Sequence, residues 1–331
     1  MANPLPVRWG VLGVADIAVR KVIPAMKGSV MSRVEAIASR TQSKASSAAD
    51  ELGIPKAYGS YEALLADPNI EAVYIPLPNH LHLEWTLAAA LAGKHILCEK
   101  PLALTSADAR RMIAASSQAD VLLMEAFMYR LHPLWQEVRR LIETGTIGEL
   151  VAFQSFFSYR NLDPTDIRNQ VTTGGGALLD IGCYPVNAAR MLFGSEPEEV
   201  KALVRRHPEF GTDVVTSALL DFGGRHATFT VSTVAEPDQR VDVVGTEGRL
   251  RIEIPFNIPP DRPTRMVVFA GGEPPVSPGT RMIEIAAGDQ YQVQADAFSE
   301  AVRSGGPLPT DPADAVANLE VLERIVENAS R

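Results

Sequence analysis

Short apolar runs alternate with longer helical patterns through the first 125 residues, and no other feature constrains the fold as strongly. The runs VRWGVL, RVEAIAS, EAVYIP, KHILC and VLLM have the length and composition of buried strands. Between them, stretches such as SKASSAADEL and SADARRMIAASS have helical spacing. This order predicts right-handed βαβ units and a parallel sheet, which binds its ligand at the carboxyl ends of the strands. Residues that directly follow a strand are therefore the first candidates for a functional site.

The second half of the chain has a different pattern. A long strand is predicted in IGELVAFQSFFSYR and a helix in GGGALLDIGCYPVNAARMLFG. The later segments VVTSALLDF, HATFTVST, RVDVVGT, RLRIEI, TRMVVFA and RMIEIAA alternate, and two helices are expected near 290–304 and 312–329. We therefore predict an α/β protein with one domain over residues 1–125. A second domain over 126–331 would contain a large, mostly antiparallel open sheet, and the C-terminal helix could pack back onto the first domain.

Charge and composition exclude several classes of partner. The net charge of −9 argues against nucleic acid or an anionic membrane. The two cysteines, Cys98 and Cys183, are far apart, and no cluster of histidine, cysteine and carboxylate has metal-ligand spacing, so no metal is predicted. The first ten residues lack the basic and apolar regions of a signal peptide, and no apolar run has the length of a membrane helix. We expect a cytoplasmic protein.

A glycine turn follows the first strand in GVLGVADIA. Its spacing is Gly13-x-Ala15-x-x-Ala18, which departs from the pattern G-x-G-x-x-G at the middle position. Glycine at such a turn lets the backbone approach a pyrophosphate, whose charge is stabilised by the helix N-terminus. In its βαβ context the turn predicts a dinucleotide site that includes Gly13, Ala15, Asp16 and Ile17.

The end of the second strand bears on the choice of cofactor. Sites for NAD usually have an acidic residue there, whereas sites that accept the additional phosphate of NADP use arginine. This strand ends in AIASRTQSK, which contains Ser39, Arg40, Thr41 and Lys44 but no carboxylate. Because a guanidinium group can bind a phosphate with two hydrogen bonds, the sequence favours NADP(H) over NAD(H).

Several motifs together resemble those of the Gfo/Idh/MocA oxidoreductases. They are the glycine turn, YIPLPNHLH, CEKP, EAFMYRLHP and GGGALLDIGCYPV, and they extend over most of the chain. The resemblance implies an N-terminal Rossmann domain, and a second α/β domain whose open sheet often mediates oligomerisation. It also implies hydride transfer to or from sugars or related polyols, so we expect a sugar-like substrate and a homodimer or homotetramer.

The same resemblance implies the catalytic residues. Lys100, in CEKP, would lie beside the nicotinamide and polarise a carbonyl or stabilise an alkoxide, with Glu99 placing the lysine. Asp180 and Tyr184 are four residues apart and would share one face of a helix. Tyr184 would act as acid and base, helped by a cation such as Lys100, and Asp180 would hydrogen-bond a neighbouring hydroxyl. With tyrosine at that position, the motif resembles those of glucose-fructose oxidoreductase, dihydrodiol dehydrogenases, xylose dehydrogenases and sugar ketoreductases. Inositol dehydrogenases typically have histidine there.

Further cofactor contacts are implied by the resemblance, and two residues stay ambiguous. The contacts are Leu77, Pro78, Asn79, His82, Glu99, Lys100 and Arg168. Arg168 follows Ile167, a position at which many family members have tryptophan, so the assignment of Arg168 to cofactor or substrate is open. Arg130 fits a ligand contact and a structural ion pair equally well, and His80 is expected on the surface.

The predicted function is that of an NADP(H)-dependent oxidoreductase acting on CH–OH groups, either an aldose or diol dehydrogenase or a ketosugar reductase. Three alternatives are compatible with parts of the pattern. A methyltransferase would normally keep an acid on the second strand. A catalytically silent NADP-binding regulator should have lost Lys100 or Tyr184, and both are present. An NAD-dependent glycosidase of the same family would retain its cofactor without consuming it.

Overall fold

The computed structural model describes residues 5–270 and 280–329, and its chain divides into two compact units. The first unit contains the chain up to Met128 together with Asp289–Val316, and the second contains Tyr129–Gly288 and the chain from Ala317 onward. Among the described residues, no helix is long and apolar enough to cross a membrane.

The first unit is built on a six-stranded parallel sheet, in the order β3-β2-β1-β4-β5-β6. The strands are β1 (Val7–Leu12), β2 (Ser32–Ala38), β3 (Lys56–Tyr58), β4 (Ala72–Ile75), β5 (His95–Glu99) and β6 (Leu123–Ala126). The helices between them are α1 (Ile23–Lys27), α2 (Gln42–Leu52), α3 (Tyr61–Leu65), α4 (His82–Leu91) and α5 (Ser106–Gln118). The predicted Rossmann sheet is thus confirmed. The strand order reverses between β1 and β4, and sheets of this kind bind their ligand at that point.

Local capping explains where the helices of this unit begin and end. The Thr41 hydroxyl accepts a hydrogen bond from the Lys44 amide at the start of α2, and the Thr105 hydroxyl caps α5 in the same way. The helix α2 ends at Gly53, whose φ of 57° is left-handed. The sequence analysis did not identify β3 and α3, because segments of three and five residues are too short for a periodic pattern.

The second unit contains an eight-stranded sheet in the order β14-β13-β12-β11-β7-β10-β9-β8. Its strands are β7 (Leu150–Arg160), β8 (Glu199–Arg206), β9 (Asp213–Asp221), β10 (His226–Ser232), β11 (Val234–Gly245), β12 (Gly248–Ile252), β13 (Thr264–Ala270) and β14 (Arg281–Ile285). All neighbouring pairs are antiparallel except β7 and β10, which confirms the mostly antiparallel sheet. The sequence analysis missed β8. The helices α6 (Pro133–Glu143) and α7 (Cys183–Phe193) belong to this unit.

One face of this sheet presents apolar side chains to solvent. Burial alternates along β9, and Leu219 on its outer side is 38% exposed. Leu203 on the neighbouring β8 is 79% exposed, and the Arg240 guanidinium covers the half-buried Phe156 ring at 4.8 Å from its centroid. Such a concentration of exposed apolar side chains is typical of an interaction surface.

The last two helices are α8 (Gln290–Ser304) and α9 (Ala313–Ala329). Although α8 follows the second sheet in sequence, it packs in the first unit, where Phe298 lies 5.4 Å from Trp9 between ring centroids. Arg303, near its end, donates two hydrogen bonds to the Glu71 carboxylate at 2.8 Å and two more to the carbonyls of Leu5 and Pro6. One guanidinium therefore holds the end of α8, the start of β1 and the residue before β4 together.

Replacing Arg303 should destabilise the first unit. We expect Arg303→Met to lower its free energy of unfolding by about 2 kcal/mol, because the hydrogen bonds involve a charged group. Arg111→Met is the matched control, since it removes only an exposed ion pair with Asp108 and should cost less than about 0.5 kcal/mol. Urea titration with far-UV circular dichroism measures both, and equal effects would contradict the assignment.

The Arg303 effect should also depend on pH. Hydrogen bonding to Arg303 holds the pKa of the Glu71 carboxyl below its ordinary value. A carboxyl whose pKa is lowered by folding contributes stability above its unfolded pKa and loses that contribution as the pH falls through the folded one. The difference between wild type and Arg303→Met should therefore persist at neutral pH and shrink below pH about 4.

Candidate active site

The glycine turn lies at the carboxyl end of β1 in the backbone conformation that only glycine adopts easily. Gly13 has a φ of 125°, and a Cβ there would lie 3.0 Å from the Leu77 Cδ2 atom. The helix that follows begins with a π-helical turn, Ala18–Val22, and continues as α1. Ala18 is fully buried, which permits close packing of helix on strand.

The other predicted residues of this turn differ in exposure. Ala15 and Ile17 are half-buried, whereas Asp16 is exposed and forms a long ion pair with Arg20 at 4.0 Å. The backbone N–H groups of these residues lie at the start of a helix, where a phosphate would be stabilised.

The end of β2 carries the residues predicted to select the cofactor. Ser39 is buried and donates its backbone N–H to the Tyr58 carbonyl, while Arg40 and Lys44 are exposed. Arg40 forms no ion pair with any carboxylate in the part of the chain that the structure describes. A cation without a protein counterion therefore stands at the position where an NAD site would have an acid.

The turn after β4 is tied to the turn after β5 by a histidine. His82 is fully buried, and its Nε2 and Nδ1 atoms lie 2.7 Å from the Leu77 carbonyl and 2.9 Å from the Pro101 carbonyl. Burial lowers the pKa of His82. The neighbouring Pro78 and Asn79 are half-buried and His80 is exposed. The imidazole thus acts as a structural brace between two turns at the same edge of the sheet.

Glu99 and Lys100 are half-buried at the end of β5, and hydrogen bonds fix the glutamate. The Tyr74 hydroxyl donates to Glu99 Oε1 at 2.6 Å, and the Lys100 backbone N–H donates to Glu99 Oε2 at 3.3 Å. Complete burial and then the charge of Glu99 raise the pKa of Tyr74, which keeps the phenol a neutral donor. The sequence analysis did not identify Tyr74 as part of this site, because its position inside a buried strand gave no polar signal.

In the second unit, Asp180 lies at the centre of a polar group. The Tyr159 hydroxyl donates to Asp180 Oδ2 at 2.6 Å, and Arg168 Nε lies 3.4 Å from the same oxygen. Arg168 also pairs with Asp166 at 3.4 Å. Burial and the charge of Asp180 raise the pKa of Tyr159, and the Asp180 charge raises the pKa of Arg168. Tyr159 was not predicted, although it stands at the end of the long strand β7.

Tyr184 is almost completely buried in a cluster of aromatic rings. Its ring centroid lies 5.2 Å from Phe256, 5.7 Å from Tyr129 and 5.8 Å from Phe157. Tilted and edge-to-face contacts of this kind restrict the ring to one orientation. The cluster therefore supplies a rigid support for the Tyr184 hydroxyl.

The helix that carries Asp180 and Tyr184 also begins with a π-helical turn, Leu178–Gly182, and continues as α7. The Asp213 carboxylate accepts hydrogen bonds from the Leu178 amide at 2.7 Å and from the Thr216 hydroxyl at 2.9 Å. Gly176, with a φ of 123°, leaves the space that Asp213 occupies. This close approach explains the third glycine of the triplet.

Arg130, which the sequence left open between a ligand contact and an ion pair, has a structural partner. Arg130 donates to the Asn187 side-chain oxygen at 3.3 Å, and the Tyr129 hydroxyl donates to the same oxygen at 2.6 Å. Both cysteines are buried and unbonded to each other. Among residues 5–270 and 280–329 there is no group of side chains suited to a metal ion.

A parallel sheet wound in the order 3-2-1-4-5-6, with a glycine turn at its carboxyl edge, defines a dinucleotide-binding protein. Family models match both halves of the chain. Residues 7–127 match the oxidoreductase family with an NAD-binding Rossmann fold, and residues 135–251 match the GFO/IDH/MocA C-terminal domain. The chain belongs to the Gfo/Idh/MocA family of oxidoreductases, as its motifs predicted.

Individual relatives are similar over almost the whole length. An uncharacterised oxidoreductase of Rhizobium meliloti is 46% identical over 98% of this chain and 97% of its own. A D-xylose 1-dehydrogenase (NADP⁺) of Haloferax volcanii is 38% identical over 97% of both chains. The crystal structure of a 3-ketoreductase from Actinomadura kijaniata in complex with NADP and TDP-benzene superposes with a TM-score of 0.91, with 33% identity and 98% of both chains covered.

Proposed function

We propose that this protein is an NADP(H)-dependent oxidoreductase that transfers hydride between the nicotinamide and a carbinol or carbonyl carbon of a sugar-like substrate. One observation carries the proposal. The carboxyl edge of the parallel sheet bears a cationic side chain at two places, Arg40 after β2 and Lys100 after β5. The first suits a phosphate of the cofactor, and the second suits the oxygen on which charge develops during the reaction.

The residues of the first unit fit a dinucleotide. The positive φ of Gly13 lets the chain turn from β1 into the following helix, whose N-terminus would stabilise a pyrophosphate. Ser39 and Arg40 would hold the 2′-phosphate, and Leu77, Asn79 and Glu99 belong to the turns that face the rest of the cofactor. When bound, the cofactor donates or accepts the hydride. The NADP named for the xylose dehydrogenase and for the ketoreductase supports this choice.

The protein's own residues handle the substrate oxygen. Lys100 stabilises negative charge on it, and the Tyr184 hydroxyl gives it a proton during reduction or removes one during oxidation. A tyrosine titrates at a pH of about 10 in water, so this role requires a cation close to the hydroxyl, and Lys100 is the residue proposed to supply it. Glu99, fixed by Tyr74, positions the lysine.

Asp180 and its partners are proposed to bind the substrate. With its carboxylate oriented by Tyr159 and Arg168, Asp180 accepts a hydrogen bond from a hydroxyl next to the reacting carbon. The relatives named above include a D-xylose dehydrogenase and a 3-ketoreductase that binds TDP-benzene, which supports a polyhydroxylated substrate.

The exposed apolar face of the second sheet is proposed to join two copies of the chain in a two-fold dimer or a tetramer. Light scattering at micromolar concentration should give twice or four times the mass of one chain. Leu203→Glu should reduce that mass, because the charge would be buried at the interface. Leu91→Glu is the control, since Leu91 is 91% exposed on α4 of the first unit. A monomeric wild type would contradict the proposed assembly.

The cofactor preference can be reversed at a single residue. Wild type should bind NADPH more tightly than NADH, and Arg40→Asp should bind NADH more tightly, because a carboxylate repels the 2′-phosphate and accepts ribose hydroxyls. Arg33→Asp, at the opposite end of β2, is the control for a general change of charge and should alter the ratio little. Fluorescence titration gives the dissociation constants, and equal or tighter binding of NADH by the wild type would refute the preference.

Removal of the proposed catalytic groups should reduce turnover without abolishing cofactor binding. Tyr184→Phe and Lys100→Met should each lower kcat by about a hundredfold or more, and the double variant should be little worse than the poorer single one, because the two groups act as a unit. NADPH affinity should change far less with Tyr184→Phe. Near-normal turnover of this variant on the true substrate would exclude tyrosine as the proton donor and leave Lys100 in that role.

A further inference from the structure

Tyr61 is a buried tyrosine close to the glycine turn that neither the motifs nor the proposed mechanism uses. It is the first residue of α3, and its side chain is only 8% exposed. Its ring packs edge-on against Trp85, with 4.7 Å between the ring centroids. The ring is therefore fixed, and the position of its hydroxyl is set by the fold.

The Tyr61 hydroxyl is directed toward the glycine turn. Its oxygen lies 3.9 Å from the point where a Cβ of Gly13 would be. Within residues 5–270 and 280–329 this hydroxyl has no hydrogen-bond partner. The hydroxyl of a tyrosine residue with so little exposed surface usually has one. Tyr58, three residues earlier, is the normal case, because its hydroxyl donates to the Asp67 carboxylate at 2.8 Å.

The charge of Arg40 affects this phenol. Burial raises the pKa of Tyr61, and the positive charge of Arg40 opposes that rise. The phenol consequently stays protonated at neutral pH and is able to donate. The Tyr61 hydroxyl thus lies beside Gly13, and the Arg40 guanidinium is close enough to this hydroxyl to affect its pKa. Neither donor has an acceptor from the part of the protein that the structure describes.

We propose that the Tyr61 hydroxyl donates a hydrogen bond to the 2′-phosphate of NADP(H), next to Arg40, and is a determinant of cofactor specificity. This inference rests on the proposed use of NADP(H). A phosphate oxygen carries charge and several lone pairs, so it can accept from a phenol and a guanidinium together. A ribose hydroxyl, by comparison, is neutral and has little need of two adjacent donors.

The test is a comparison of binding constants in which no turnover takes place. Dissociation constants of NADPH and NADH are measured by isothermal titration calorimetry for wild type, Tyr61→Phe and Tyr58→Phe. Tyr61→Phe keeps the ring and its contact with Trp85, and should weaken NADPH binding by about tenfold, the loss typical of one hydrogen bond to a charged group. NADH binding should change by less than about twofold. Tyr58→Phe removes a hydroxyl that already has a protein partner and should leave the NADPH-to-NADH ratio as in the wild type.

The outcomes separate this inference from the cofactor proposal. Unchanged NADPH binding by Tyr61→Phe, or an equal loss for NADPH and NADH, overturns the role of Tyr61 while a wild-type preference for NADPH leaves the cofactor proposal standing. A wild type that prefers NADH overturns both. Thermal unfolding of Tyr61→Phe within a few degrees of the wild type shows that a binding loss comes from the hydroxyl and not from a damaged fold.

Discussion

Parallel strand pairing is the constraint on which the site in the first unit depends. Because β2, β1, β4 and β5 run in the same direction, their carboxyl ends meet at one edge, and each end must be followed by a turn. The four turns carry Arg40, Gly13, Leu77 and Lys100. The pairing is stabilised by a fully buried core around Trp9 and Phe298, so residues distant in sequence are held in fixed relation by apolar packing.

Hydrogen bonds then make these turns rigid. His82 joins the turns after β4 and β5, and Tyr74 holds the Glu99 carboxylate from inside the sheet. In the second unit the Asp213 carboxylate anchors the start of the helix that carries Asp180, while the aromatic cluster supports Tyr184. In both units a buried polar or aromatic side chain with no proposed catalytic role orients a residue that has one, which is the preorganisation that electrostatic catalysis requires.

Sequence patterns predicted the parallel strands, the long helices, the mostly antiparallel sheet and the family. They missed β3 and α3 because these are too short to show a period. They also missed β8, the strand that carries the exposed Leu203. The assignments of individual catalytic and cofactor-binding residues stay predictions. Tyr159, Tyr74 and Tyr61 could not be predicted, because each acts through a contact between distant segments, and an isolated tyrosine in a strand or short helix has no distinguishing pattern.

The central claim is direct hydride transfer between a sugar-like carbinol and the cofactor, and isotope tracing tests it most directly. Aldoses, polyols and nucleotide-linked sugars are first screened with NADP⁺ by the absorbance of NADPH, and the best substrate is then prepared with deuterium on its carbinol carbon. The account predicts that the deuterium appears in the nicotinamide ring of the NADPH formed. No reduction of NADP⁺ by any member of the panel, or deuterium found only in water, would contradict it.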